Sequence, residues 1–175
     1  MVLLISCSLN PESRSRLLAE AARERFAAMN EAVEFVDLRE MPLPMCDGAT
    51  TYGDANAKRL SELGSQADAI VLAAPIYNFG VSASAKNLVE LTGRSWSGKV
   101  VGMLLAAGGQ GSYMSGMGLA NSLMLDFRCL VIPRFVFADG DAFADGRITN
   151  PDTDRRVGEL SREVVRVSRA LRSTE

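Results

Sequence analysis

Histidine is absent from this 175-residue sequence. It is the side chain most used for proton transfer near neutral pH, and it is a common protein ligand of zinc. Its absence excludes Ser-His-Asp triads, HExxH metal sites and most schemes for metal-dependent hydrolysis. Any chemistry must therefore come from carboxylates, tyrosines, a thiol or a bound organic cofactor.

Cysteine is also scarce. The three cysteines, Cys7, Cys46 and Cys129, are an odd number and form no CxxC pair, which argues against a disulfide framework and a zinc site. Such thiols suit a reducing compartment, so we expect a cytoplasmic protein. Long apolar runs are missing as well. Residues 1–5 have only the length of a strand, so we expect neither a signal peptide nor a membrane span.

No excess of charge of one sign is present. The formal net charge is −2, and charged residues make up 23% of the chain. This balance gives no electrostatic reason for binding to nucleic acid or to an anionic membrane surface. We therefore expect no nucleic-acid partner and no membrane partner, and we look for a small-molecule ligand.

The sequence does contain a regular alternation of apolar strands and amphipathic helices. Strands are predicted at 2–7, 32–37, 68–74, 99–107 and 130–137, and helices at 13–29, 52–66, 82–91, 113–127 and 152–171. The first and third strands are continuous apolar runs, which is typical of strands covered on both faces. We expect residues 1–175 to form one α/β domain. Its core is a doubly wound, five-stranded parallel sheet of order 2-1-3-4-5 with helices on both faces.

Ligands bind such sheets beyond the carboxyl ends of the strands, where the winding direction reverses. Here that point lies between strands one and three, and the first loop beside it is rich in polar side chains. Ser8, Asn10, Ser13 and Ser15 stand there with two arginines. One interpretation is a plain helix cap. The other is a cradle for a monophosphate, which would use the hydroxyls and the positive end of the helix dipole. The number of donors favours the phosphate. The loop has neither GxGxxG spacing nor a P-loop lysine.

Two further loops are candidates for the same site. The loop at 75–81 places Tyr77, Asn78 and Phe79 on one short turn. It is interpreted equally well as a binder of a flat heteroaromatic ring or as a surface turn whose aromatics pack on the core. The glycine turn at 108–111 would let its backbone approach a ligand closely. As a nucleotide motif it is weak.

Four segments together resemble the NADPH-dependent FMN reductase family. They are residues 7–16 (CSLNPESRSR), 41–44 (MPLP), 75–87 (PIYNFGVSASAKN) and 108–111 (GGQG). That family is flavodoxin-like, spans essentially this length, and includes quinone, azo-dye and chromate reductases. The prolines at 42 and 44 rule out a regular helix there and predict an ordered loop that covers another part of the protein.

The resemblance implies FMN as cofactor, NADPH or NADH as co-substrate, and a set of site residues. In this sequence the candidate FMN contacts are Ser8, Asn10, Ser13, Ser15, Arg16, Pro75, Ile76, Tyr77, Asn78, Phe79, Gly108, Gly109, Gln110 and Gly111. Of these, Ser8, Ser13, Ser15 and Arg16 are expected to hold the phosphate. A homodimer or homotetramer is also implied. Its interface would lie on the helix at 82–91 and on the methionine-rich helix after strand four.

The expected activity is a two-step reduction in which nicotinamide reduces FMN and a small electron acceptor then enters the same pocket. The acceptor would be a quinone, an azo dye, chromate or a free flavin. The protein contributes positioning and electrostatics, because the cofactor carries the redox chemistry. Two alternatives stay open: a flavodoxin-like FMN electron carrier without nicotinamide activity, and a non-catalytic ligand-binding domain on the same fold.

Overall fold

The computed structural model describes residues 1–172 and confirms the doubly wound α/β architecture. The central sheet contains, in spatial order, β2 (Val33–Asp37), β1 (Val2–Ser6), β3 (Ala69–Tyr77), β5 (Val100–Ala106) and an edge made of β6 (Leu130–Val131) and β7 (Val136–Ala138). All of these neighbours pair in parallel. The predicted order 2-1-3-4-5 is confirmed, with β5 as its fourth strand and the β6–β7 pair as its fifth.

Helices cover both faces of the sheet. Their bounds are α1 (Arg14–Ala28), α2 (Ala55–Gln66), α3 (Ala83–Thr92), α4 (Met117–Phe127) and α5 (Pro151–Arg172). Four of them begin after a polar capping residue: Ser13 before α1, Asp54 before α2, Ser82 before α3 and Asn150 before α5. Each cap accepts a backbone N–H of the first turn, which would otherwise lack a partner inside the helix.

The alternation of side chains along the central strands creates two cores. Leu3 and Ile5 of β1 pack on the face covered by α2, α3 and α4. Val2 and Leu4, which point the other way, join the core formed with α1 and α5. This division explains why β1 is buried along its whole length. It also explains why its sequence shows no period of two.

The predicted fifth strand at 130–137 is wrong in its continuity. Of this segment only β6 and β7 are paired as strands with β5, and residues 133–135 between them leave the sheet. Pro133 lies in this gap and has no N–H to donate to a neighbouring strand. Arg134 adopts a left-handed φ of 60°. The chain therefore bulges away from the sheet and returns to it at β7.

The predicted loop at 75–81 is wrong in part. Strand β3 continues to Tyr77, and β4 (Gly80–Val81) returns beside it in an antiparallel pair. Asn78 and Phe79 form the turn with φ of 48° and 62°, as a tight primed turn requires. The segment is thus a hairpin whose first half belongs to the central sheet.

Two predicted helices begin later than expected. Thr50–Gly53 and Gln110–Gly116 are 3₁₀ turns that precede α2 and α4. A small hairpin that the sequence analysis did not predict, β8 (Phe143–Ala144) with β9 (Arg147–Ile148), turns at Asp145 and Gly146. Among residues 1–172, none of the helices combines the length and apolarity that crossing a membrane requires.

Candidate functional site

A groove of about 730 Å³ opens at the carboxyl edge of the sheet, beside the β1–β3 switch point. It is lined by Ser8, Asn10, Glu12, Ser13, Arg14, Ser15, Pro75, Ile76, Tyr77, Asn78, Ala106, Ala107 and Gly108. Three separate chain segments meet there, each at the carboxyl end of a central strand. This is the location that the topology predicts for a ligand.

One end of the groove is formed by buried hydroxyls at the start of α1. Ser8, Ser13 and Ser15 are 2%, 8% and 1% exposed. The Ser8 hydroxyl accepts the backbone N–H of Asn10 at 3.2 Å, and the Ser13 hydroxyl accepts that of Arg16 at 3.1 Å. The hydroxyls of Ser13 and Ser15 lie 3.0 Å apart.

This hydroxyl cluster has protons to offer a ligand. Ser13 and Ser15 carry two hydroxyl protons, and the single bond between them uses one. The hydroxyl of Ser8 acts as an acceptor in its contact with Asn10, so its own proton is available as well. An acceptor-rich group such as a phosphate fits these donors, with the positive end of the α1 dipole behind them. The side chain of Asn10 is used locally, because its Oδ1 accepts the N–H of Glu12 at 3.0 Å.

The two arginines of the loop point to different places. Arg14 lines the groove and lies against the loop after β7, where a Cβ built on Gly140 would be 3.1 Å from its Nη1. Arg16 instead forms ion pairs with Glu20 at 3.0 Å and with Asp37 at 3.4 Å. Burial raises the pKa of Asp37, and the nearby Arg16 guanidinium opposes that shift. Arg16 thus holds the carboxyl end of β2 rather than lining this groove.

The other end of the groove is formed by the β3–β4 hairpin. Pro75, Ile76, Tyr77 and Asn78 line it, and the Pro75 carbonyl accepts the N–H of Ser82 at 2.9 Å. Tyr77 is 54% exposed, so it borders the open side. Phe79 projects from the turn at 74% exposure and is not a lining residue.

The glycine turn contributes less to the groove than predicted. Gly108 lines it, whereas Gly109, Gln110 and Gly111 lead away into the 3₁₀ turn before α4. The Gln110 amide donates to the carboxylate of Asp139, which ties this turn to the loop after β7. Of the fourteen residues predicted from the sequence, the groove brings nine together, and Arg16, Phe79, Gly109, Gln110 and Gly111 lie outside its lining.

The role of Asn87 was not predicted from the sequence. Its side chain is buried; its Oδ1 accepts the N–H of Cys46 at 2.8 Å, and its Nδ2 donates to the Pro44 carbonyl at 2.9 Å. Asn87 therefore fixes the proline-containing loop at 41–46. That loop borders a small apolar cavity, of about 200 Å³, beside Leu9. The two prolines signalled an ordered loop, but not the residue that orders it.

Cys7 directly follows β1, next to the hydroxyl cluster, and is fully buried. Burial raises the pKa of its thiol far above the ordinary value, and the nearby Asp37 carboxylate adds to the shift. The thiol thus stays protonated and unreactive near neutral pH. Its backbone carbonyl matters more, because it accepts the hydroxyl of Ser84 at 2.5 Å and so joins α3 to the end of β1.

The chain is similar to known flavoproteins over most of its length. The family model described as NADPH-dependent FMN reductase matches residues 1–144. An NAD(P)H-dependent FAD/FMN reductase of Geobacillus thermodenitrificans is 28% identical over 145 residues, covering 81% of this chain and 78% of the relative. A quinone reductase of Pseudomonas putida is 27% identical over 139 residues, covering 75% of this chain and 74% of the relative.

A solved structure has a similar fold. The flavoenzyme NAD(P)H:(acceptor) oxidoreductase FerB of Paracoccus denitrificans superposes with a TM-score of 0.78 at 21% identity, covering 97% of each chain. At 21% identity this similarity supports only a shared fold. It agrees with the sheet order observed here.

Proposed function

Because this chain belongs to the NADPH-dependent FMN reductase family, we propose that the groove at the carboxyl edge of its sheet is the FMN site. The chain is an NAD(P)H-dependent flavin reductase that uses FMN. The Ser8, Ser13 and Ser15 hydroxyls would hold the phosphate. The hairpin residues from Pro75 to Asn78 would lie along the ring, and Gly108 would border its other edge.

The observation that carries this proposal is the groove itself, which joins buried hydroxyl donors at one end to a hairpin carrying Tyr77 and Asn78 at the other. A mononucleotide with a flat ring has the matching polarity, with an anion at one end and a large conjugated surface at the other. A plain helix cap would need one of these hydroxyls and no neighbouring hairpin.

Bound FMN supplies hydride acceptance from nicotinamide and electron delivery to the second substrate. The chain's own part is to bind and to orient. The hydroxyl cluster fixes the phosphate end, and the pairing of β3 with β4 fixes the backbone of the hairpin relative to the sheet. Tyr77 borders the open side of the groove. The nicotinamide, and after it the acceptor, would enter from that side.

For the acceptor we propose a quinone, because the Pseudomonas putida relative is named a quinone reductase. Free flavins are the second candidates, since the Geobacillus relative is named for both FAD and FMN. Azo dyes and chromate complete the panel to be tested. The exposed aromatic rings of Tyr77 and Phe79 suit a flat, conjugated acceptor better than a small oxyanion.

The proposal is tested by loading the protein with FMN and adding NADPH without oxygen. We expect the visible flavin absorbance to bleach within seconds and a quinone to restore it. A bound flavin that stays oxidised would favour the electron carrier instead. A protein that neither contains nor binds FMN would favour the non-catalytic domain.

We also propose a homodimer or homotetramer formed through α4. Met117, Met124 and Leu125 on this helix are 41%, 40% and 75% exposed, and Met114 just before it is 62% exposed. Exposed apolar patches of this kind commonly mark protein interfaces. Met103, by contrast, lies fully in the core. All three cysteines are free thiols, which supports a reducing compartment such as the cytoplasm.

A further inference from the structure

Asp37, the last residue of β2, has a side chain that is 1% exposed, and its carboxylate binds two arginines. Arg39 makes a forked contact with Oδ2, through Nη2 at 2.8 Å and Nε at 3.1 Å. The same oxygen lies 3.4 Å from Nη1 of Arg16. A buried carboxylate is costly unless it is paired in this way. The carboxyl end of β2 therefore holds both guanidiniums in place.

The two arginines connect Asp37 to the loop that carries the hydroxyl cluster. Nη1 of Arg39 donates to the Pro11 carbonyl at 3.5 Å, in the middle of that loop. At its end, the backbone N–H of Arg16 donates to the Ser13 hydroxyl at 3.1 Å. The side chain of Arg16 thus ties to Asp37 the same turn of α1 whose backbone fixes one hydroxyl of the cluster.

The backbone at the end of β2 holds the beginning of the same loop. The N–H of Leu38 donates to the carbonyl of Ser6, the last residue of β1, at 3.0 Å. Ser8, the first hydroxyl of the cluster, follows two positions later. Residues 37–39 therefore hold the loop at its beginning, its middle and its end, although none of the three lines the groove of the proposed FMN site.

We propose that Asp37 and Arg39 are positioning residues for the phosphate of FMN, acting through this loop rather than by contact with the cofactor. The proposal rests on the proposed function, in which the hydroxyl cluster binds the phosphate. While residues 37–39 hold the loop, its donors are in place before the ligand arrives. Without Asp37 or Arg39, binding must also order the loop, and the cost of that ordering lowers the affinity for FMN.

The alternative is that these ion pairs only stabilise the fold. The two roles predict different effects on flavin binding, because riboflavin has the same ring as FMN but no phosphate. A loosened loop weakens the binding of FMN and spares that of riboflavin. A general loss of structure weakens the binding of both.

The test is titration of flavin-free protein with FMN and with riboflavin, measured by the quenching of flavin fluorescence. Arg39→Ala removes the contact with Pro11 and one partner of Asp37. We expect it to weaken FMN binding by about tenfold and to change riboflavin binding by less than about twofold. Asp37→Asn removes the charge that both arginines share, so it should shift the ratio of the two dissociation constants in the same direction and by at least as much.

Glu20→Gln is the matched control, because it removes the other ion pair of Arg16, at 3.0 Å, and leaves the contacts of Asp37 in place. It should change neither affinity by more than about twofold. The proposal is overturned if Arg39→Ala spares FMN binding or weakens the binding of both flavins equally. Arg39→Ala decides alone if Asp37→Asn does not fold.

Stronger FMN binding by Asp37→Asn would also overturn the proposal, because a released arginine would then serve the phosphate better than the held loop does. A failure of the proposed function is distinguishable, since it needs no variant. In that case the unaltered protein would bind no FMN, or would bind FMN no more tightly than riboflavin.

Discussion

Asn87 gives the most direct test of how the site is supported. It is 6% exposed, and both ends of its side-chain amide are used by backbone groups of the loop at 41–46. Substituting Asn87→Asp keeps the shape of the side chain and its acceptor for the Cys46 N–H. It replaces the donor to the Pro44 carbonyl with a second oxygen. The change therefore isolates one hydrogen bond and one buried charge.

The expected cost follows from these two effects. Loss of a buried hydrogen bond whose acceptor then lacks a partner costs about 1–3 kcal/mol. A carboxylate facing a carbonyl oxygen in a nearly closed site adds about 1 kcal/mol or more. We expect Asn87→Asp to lower the free energy of unfolding at pH 7 by about 2–4 kcal/mol.

The loss should depend on pH. Burial favours the neutral acid, so the pKa of the new carboxyl in the folded protein lies above its unfolded value of about 3.9. The protonated acid can donate to the Pro44 carbonyl as the amide does. The destabilisation should therefore be smallest below about pH 4 and should grow as the pH rises through the folded-state pKa. Asn87→Ala, which has no titrating group, should show a loss that does not change with pH.

Urea unfolding followed by the fluorescence of Trp96 measures this effect, because Trp96 is the single tryptophan and is 1% exposed. With a denaturant slope of about 1–3 kcal/mol/M, the midpoint should fall by roughly 1 M or more at pH 7. Asn56→Asp is the control, since Asn56 donates to the Pro42 carbonyl at 2.8 Å in an exposed contact. It should cost less than about 0.5 kcal/mol. A pH-independent loss for Asn87→Asp, or one as small as the control's, would refute the reasoning.

Three further predictions concern the site and its surroundings. Ser15→Ala should weaken FMN binding about tenfold and leave riboflavin binding unchanged, because it removes a buried phosphate donor; flavin fluorescence measures both. Phe79→Gly should leave stability unchanged or raise it by about 1 kcal/mol, because it relieves a left-handed φ of 62°, while acceptor turnover falls in steady-state assays. In thiol titration at pH 8, only Cys46 should react in the folded protein. Cys7 and Cys129 should react after unfolding, because burial raises both pKa values, that of Cys129 to about 11.

Much of the fold followed from local pattern. The runs at 2–5 in β1 and 69–76 in β3 are apolar throughout because both faces of each strand meet a helix layer, and this property is visible in a few consecutive letters. A cap by Ser13 at the start of α1 could be predicted in the same way, since its partner Arg16 is only three residues away. Pro133 was visible in the sequence too, but the prediction of one strand at 130–137 passed over it, although its missing N–H accounts for the break.

The sequence alone could predict which residue types gather at the switch point, but the direction of their side chains depended on distant partners. Arg16 turns from the groove because Asp37, at the end of a different strand, attracts its guanidinium. Asn87 is 41 and 43 positions away from the two loop residues that it binds. Local periodicity carries no information about such pairs. Only the packed sheet brings them together, because burial makes each unpaired polar group costly and so selects one arrangement.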